Sequence, residues 1–97
     1  MTSKQRAQLK SLAMTMDAIF QIGKATVSDE LIKAIDEALE ARELIKVSVL
    51  KNCNDDPAEL AQIVSEKTGS ETVQIIGRKI VLYRQARDPK KRNIKLK

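Results

Sequence analysis

The sequence predicts an α/β fold: a two-layer, open-faced sandwich in the order αβαβαββ, with a mixed four-stranded sheet and helices mainly on one face. Three observations predict it. Residues 18–49 pass from an alternating apolar run, through a basic glycine turn, into an amphipathic helix and back to a two-residue period. Residues 71–84 read as a hairpin. The strands alternate apolar with polar residues, which a sheet with one buried and one comparatively polar face requires.

The first helix is expected over about Ser3 to Met14. Leu9, Leu12, Ala13 and Met16 keep the spacing of a core-facing stripe, with Arg6 and Lys10 one turn apart on its flank. Ala18, Phe20 and Ile22 alternate with Gln21 as a first strand, interrupted by Gly23-Lys24-Ala25-Thr26. Ser28 can cap the second helix, Asp29 and Glu30 complement its positive end, and Val27 can staple to Ile32. Leu31, Ile32, Ile35, Ala38 and Leu39 form its apolar face, and Lys33, Asp36, Glu37 and Glu40 the solvated one.

Glu43–Val49 forms the second strand, with Ile45, Val47 and Val49 opposite Lys46 and Ser48. Asp56 caps a third helix that has Pro57 at its first position, Leu60, Ile63 and Val64 on its apolar side, and Gly69 as its stop. Thr72–Ile76 and Ile80–Arg84 flank a turn at Gly77-Arg78-Lys79, with Val73 and Ile75 on one face. Two successive βα units predict parallel neighbours, and the hairpin adds an antiparallel pair.

Ninety-seven residues fit one domain with a modest core. No apolar run approaches the roughly 18 residues of a membrane span, and no secretory signal is evident. Residues 1–16 are basic and acid-free in the manner of a transit peptide, but their helical stripe is better explained by the core, so a cytoplasmic protein is expected. Histidine is absent and Cys53 stands alone, which excludes a His-based general base and an internal disulfide. No catalytic set, metal site or cofactor is expected.

The net charge of +5 is unevenly placed. Residues 84–97 carry Arg84, Arg87, Lys90, Lys91, Arg92, Lys95 and Lys97 against Asp88 alone, whereas the first 83 residues hold eleven basic and twelve acidic groups. Pro89 and the lack of a helical stripe predict that residues 88–97 leave the fold as a flexible tail. Such a tail suits nucleic acid through counterion release, although a solubility role or an acidic protein partner fits the same charge.

The strand–turn–helix at Gly23-Lys24 presents backbone N–H groups beside a cation, which suits a phosphate. A plain connection, with the glycine there to permit positive φ, explains the same residues. A nucleotide-binding P-loop does not: Ala18 stands where the earlier glycine belongs, and Ala25 separates Lys24 from Thr26. Phe20 and Tyr83 are too few for a base-stacking sheet, so any RNA contact would work through backbone and shape.

Four blocks carry a family resemblance. They are Ser3-Lys4-Gln5 through Leu12-Ala13, Gln21-Ile22-Gly23-Lys24, Glu43-Leu44-Ile45-Lys46-Val47, and Val73-Gln74-Ile75-Ile76-Gly77-Arg78-Lys79-Ile80-Val81-Leu82-Tyr83-Arg84. In this order they resemble the bacterial YhbY-type RNA-binding proteins, the stand-alone form of the CRM domain. The resemblance implies a single CRM-like domain over residues 1–87, followed by the tail. It implies association with precursors of the large ribosomal subunit, through rRNA. A monomer is expected, with ribosomal proteins as further candidate partners.

The resemblance also implies that a GxxG loop contacts RNA, here Gly23, Lys24, Ala25 and Thr26. Arg78 and Lys79 read on composition as solvated turn residues, but the resemblance and the nearby basic tail favour RNA contact there. Arg84 is expected to contact RNA as well, and Arg6 and Lys10 join the site if the first helix packs beside the glycine turn. Thr26 replaces the second glycine, and its branched Cβ resists positive φ, so the loop departs from the family shape. The rival expectation is a protein–protein module that contacts ribosomal proteins or assembly factors through the acidic face of the second helix and the tail.

Overall fold

The computed structural model describes residues 1–24 and 27–96. Helices α1 (Ser3–Ala13), α2 (Asp29–Arg42) and α3 (Pro57–Thr68) alternate with strands β1 (Phe20–Ile22) and β2 (Leu44–Val49), and β3 (Glu71–Ile76) and β4 (Lys79–Tyr83) follow. A short 3-10 turn covers Pro89–Lys91.

Local chemistry sets the helix boundaries. Thr2 and Gln5 form a capping box at α1, in which each side chain satisfies the other's backbone N–H. The Ser28 and Asp56 side chains accept from Leu31 N and Ala58 N at the starts of α2 and α3. Gly69 ends α3 in the left-handed region at φ 67°. The end of α2 is unusual, because Glu43 takes φ 67° without being a glycine. Glu43 is therefore the cap of α2 rather than the first residue of β2.

The sheet order is β1-β2-β4-β3. β1 and β2 are parallel, while β4 runs antiparallel to both β2 and β3. The expected adjacency of β2 and β3 is thus corrected: β4 lies between them. The reason is composition. Ile80 and Leu82 enter the core beneath α2 and α3, while Val81 and Tyr83 enter the core beneath α1, so this strand is buried on both faces and belongs inside the sheet.

Two helices share one face, and the other is partly roofed. Ile35, Leu39, Leu60 and Val64 pack on Ile45, Val47, Ile80 and Leu82. On the opposite face Leu9 and Ala13 of α1 pack on Leu44, Val73, Val81 and Tyr83. A bulge in β3 makes this second core. Thr72 pairs with Leu82 and Gln74 with Val81, leaving Val73 as the extra residue. Val73 therefore turns to α1, while Ile75, opposite Ile80, turns to the α2–α3 face. These two residues do not share a face, contrary to the simple alternation of the sequence.

The tail is the larger correction. Residues 88–96 return to the body instead of leaving it. The Glu43 carboxylate accepts from Ala86 N (2.7 Å), Asn93 N (2.7 Å) and Ile94 N (3.0 Å), and Ile94 and Leu96 pack against the α1-side core. Glu40 accepts from Arg87 N and Asp88 N. Charge counting misses this because the anchors are two aliphatic side chains and backbone N–H groups, not the lysines. Among the described residues no helix is long and apolar enough to cross a membrane, and no cluster of acids and thiols could hold a metal.

Candidate nucleic-acid interface

The topology brings three connections to one end of the sheet. β1 and β2 run in parallel and both finish there, and the β3–β4 turn lies at the same end because β4 is antiparallel to β2. Leu50 N donates to Ile22 O at 2.9 Å and Val49 N to Arg78 O at 2.7 Å, stitching the three segments together. Lys24 from the first, Lys51 and Asn52 from the second, and Lys79 from the third are all exposed there.

Arg78 holds this end in shape. Its Nε donates to Val49 O at 3.0 Å, and its Nη2 donates to Leu50 O and Cys53 O. Three carbonyls of the loop after β2 are thereby satisfied by one planar fork. Arg78 is half-buried, so it positions the loop while its remaining edge stays near solvent. Gly77 takes φ 56° and makes the tight turn that places Arg78.

Gly23 does not use positive φ; of the three glycines only Gly69 and Gly77 do. A Cβ at Gly23 would stand 3.5 Å from Leu50 Cδ1 and 3.6 Å from Asn52 Oδ1, ordinary contact distances. Among the described residues, neither backbone strain nor crowding accounts for this glycine. Ala25 and Thr26, the other loop positions implied by the resemblance, lie outside the described residues.

The cationic end continues onto the sheet face that α1 only partly covers. Cross-strand pairing sets Gln21, Ser48, Lys79 and Ile76 in one row, with Lys79 Nζ 3.3 Å from Ser48 Oγ. Beyond that row Lys10, Lys46 and Gln74 border a shallow depression beside α1. Lys46 donates to Met16 O at 2.8 Å and so also ties down the chain after α1.

The sequence-derived site residues divide accordingly. Gly23, Lys24, Arg78 and Lys79 are brought together, and Lys10 adjoins them across the sheet face. Arg6 is directed elsewhere: its Nη1 donates to Thr72 O and Val73 O, satisfying the carbonyls at the bulge, and Glu71 lies 3.9 Å from its Nη2. Arg84 lies at the opposite end of the sheet and is 8 % exposed. It pairs with Asp36 and Glu40 and donates to Thr68 O at 2.8 Å, so its guanidinium is engaged within the domain and set apart from the lysines. Sequence reasoning misses Lys51. Its signal is present, a lone lysine beside Asn52 at the end of a strand, but only strand order shows that it lies at the same end of the sheet as Lys24 and Lys79.

With this geometry in hand, relatives are informative. The sequence model of the CRS1/YhbY (CRM) domain matches residues 1–84. The chain belongs to the CRS1/YhbY (CRM) domain family. Bacillus subtilis YqeI, named a probable RNA-binding protein, is 49 % identical over 90 residues, covering 93 % of this chain and 94 % of that one. A Haemophilus influenzae protein named RNA-binding protein is 29 % identical, covering 93 % and 91 % of the two chains. The solution structure of the Staphylococcus aureus protein SAV1595, named a putative RNA binding protein, superposes with a TM-score of 0.78 at 50 % identity, over 98 % of this chain and 99 % of that chain.

Proposed function

We propose that this CRM domain is a non-catalytic RNA-binding protein that engages structured RNA with the cationic end of its sheet. The observation that carries the reading is the convergence of exposed Lys24, Lys51 and Lys79 around a loop that Arg78 holds rigid. A fixed spacing of cations suits a phosphate backbone of fixed geometry, and phosphate contacts position a protein on its RNA. With Phe20 half-buried and Tyr83 buried, neither offers an open stacking platform, so contact runs through backbone, 2′-hydroxyls and shape. The relatives named as RNA-binding proteins support the same reading.

The RNA we infer is rRNA within a precursor of the large ribosomal subunit, bound by a monomer in the cytoplasm. This part rests on the family resemblance. The test is sedimentation of a lysate on a sucrose gradient, with and without ribonuclease. Co-migration with large-subunit precursors that ribonuclease abolishes is expected; migration as free protein in both samples would overturn it.

A further inference from the structure

On the face of the sheet away from α1, the first turn of α2 and the side of α3 from Glu59 to Lys67 border a groove of about 250 Å³. Val27, Ile32, Leu60 and Ile63 line it with aliphatic groups, and Ile63 is 41 % exposed although it lies on the apolar side of α3. Asp29 and Glu59 stand at its edge, each in the first turn of its helix. Asp55 adds to the acidic side, and among the described residues Lys67 is the one cation that lines it.

The charges decide what the groove can hold. Two helix N-termini alone would favour an anion, but Asp29 and Glu59 already complement those dipoles and would repel a phosphate. The volume falls below that of sites that enclose a whole small molecule, which begin at about 300 Å³. It suits one or two side chains of a longer segment. An aliphatic floor with an acidic margin is complementary to an aliphatic anchor flanked by lysine or arginine.

We propose that this groove docks a cationic segment of another protein, anchored by one or two aliphatic side chains. Both helices that form it begin at the sheet end that carries Lys24, Lys51 and Lys79, so a docked segment would lie beside bound RNA without competing for it. That placement suits the basic extension of a protein which itself sits on RNA. The choice of an RNA-seated partner rests on the proposed RNA reading, whereas docking itself is read with a peptide, so the two can fail separately.

The test uses the full chain, isotope-labelled for NMR, and three probes: an octapeptide alternating lysine with leucine, one alternating lysine with serine, and a short RNA hairpin. The lysine–leucine peptide is expected to shift the signals of Val27, Ile32, Leu60 and Ile63. It should bind at least tenfold more tightly than the lysine–serine peptide, because burial of an aliphatic side chain supplies that difference. Ile63→Ser and Glu59→Lys, both at exposed positions, should each weaken the peptide about tenfold and leave hairpin affinity within twofold. Should Ile63→Ser lower the melting temperature, Glu59→Lys alone decides. Equal binding of the two peptides, shifts spread over the acidic surface, hairpin binding in the groove, or self-association through it would each overturn the proposal.

Discussion

Glu43 Oε1 accepts the backbone N–H of Asn93 at 2.7 Å, joining the end of α2 to the C-terminal segment across fifty residues. Glu43 is fully buried and held at positive φ, and its carbonyl also accepts from Arg84 N at 2.9 Å. Burial pushes its pKa up, but the N–H groups of Ala86, Asn93 and Ile94, with the Arg92 charge, more than offset that and hold it below 4.5. One acidic side chain thus converts a basic tail into part of the fold.

Removing that carboxylate should release the tail. Glu43→Ala leaves three backbone donors without their acceptor and is expected to destabilise the domain by about 1–3 kcal/mol. Amide hydrogen exchange at Ala86, Asn93 and Ile94 should accelerate far more than at Leu39 or Ile45. Uniform acceleration would mean that the tail and body open as one unit.

The same carboxylate, with Glu40, predicts a pH dependence. Glu43 and Glu40 both have folded pKa values below the unfolded one, Glu40 through the N–H groups of Arg87 and Asp88. The unfolded chain therefore binds protons first as pH falls. Their stabilisation is complete above about pH 4.5 and is lost as pH drops through the folded values. The melting temperature of Glu40→Gln/Glu43→Gln should vary less across that window than that of the parent protein.

Arg84 should behave as a structural residue. Arg84→Ala removes a buried guanidinium that bonds Asp36 and Thr68 O, and is expected to cost about 1.5–3 kcal/mol, as loss of hydrogen bonds to a charged group does. Denaturant unfolding measures this. RNA affinity per folded molecule should be unchanged, which separates Arg84 from the lysines at the other end of the sheet.

Those lysines make the opposite prediction. Lys24→Gln/Lys51→Gln/Lys79→Gln should leave the melting temperature within a few degrees and weaken RNA binding. The slope of log K against log salt should shallow by about 0.7–0.9 for each phosphate that the variant no longer neutralises. An unchanged slope would place the RNA elsewhere on the molecule.

Arg78→Lys keeps the charge but removes the fork that holds Val49, Leu50 and Cys53. Exchange at Leu50 to Cys53 should speed up and RNA affinity should fall, with the salt slope unchanged. A fall matched by a shallower slope would instead mark Arg78 as a direct phosphate contact.

Much of the architecture is legible in the sequence because local rules carry it. Ser28, Asp56, Pro57 and Gly69 bound their helices through bonds made within a few residues, and Gly77 makes a turn that needs φ of 56°. The unbroken apolar run Ile80–Tyr83 marks a strand buried on both faces, although the run by itself does not name its neighbours. The candidate site is half legible: Gly23, Lys24, Arg78 and Lys79 stand at or beside turns, and of these Lys24 and Lys79 are exposed.

Composition and periodicity determined the helices, the strands and their order along the chain by themselves. Tertiary structure alone decided the partners. Val73 left its alternation because a bulge against Leu82 and Val81 turned it towards α1. Arg84 became internal because α2 sets Asp36 and Glu40 beside it, and Glu43 captured the tail because β4 delivers residues 86–94 to the end of α2. In each case the deciding contact spans residues far apart in sequence, and whether a charge faces water or a buried partner depends on packing that no local pattern records.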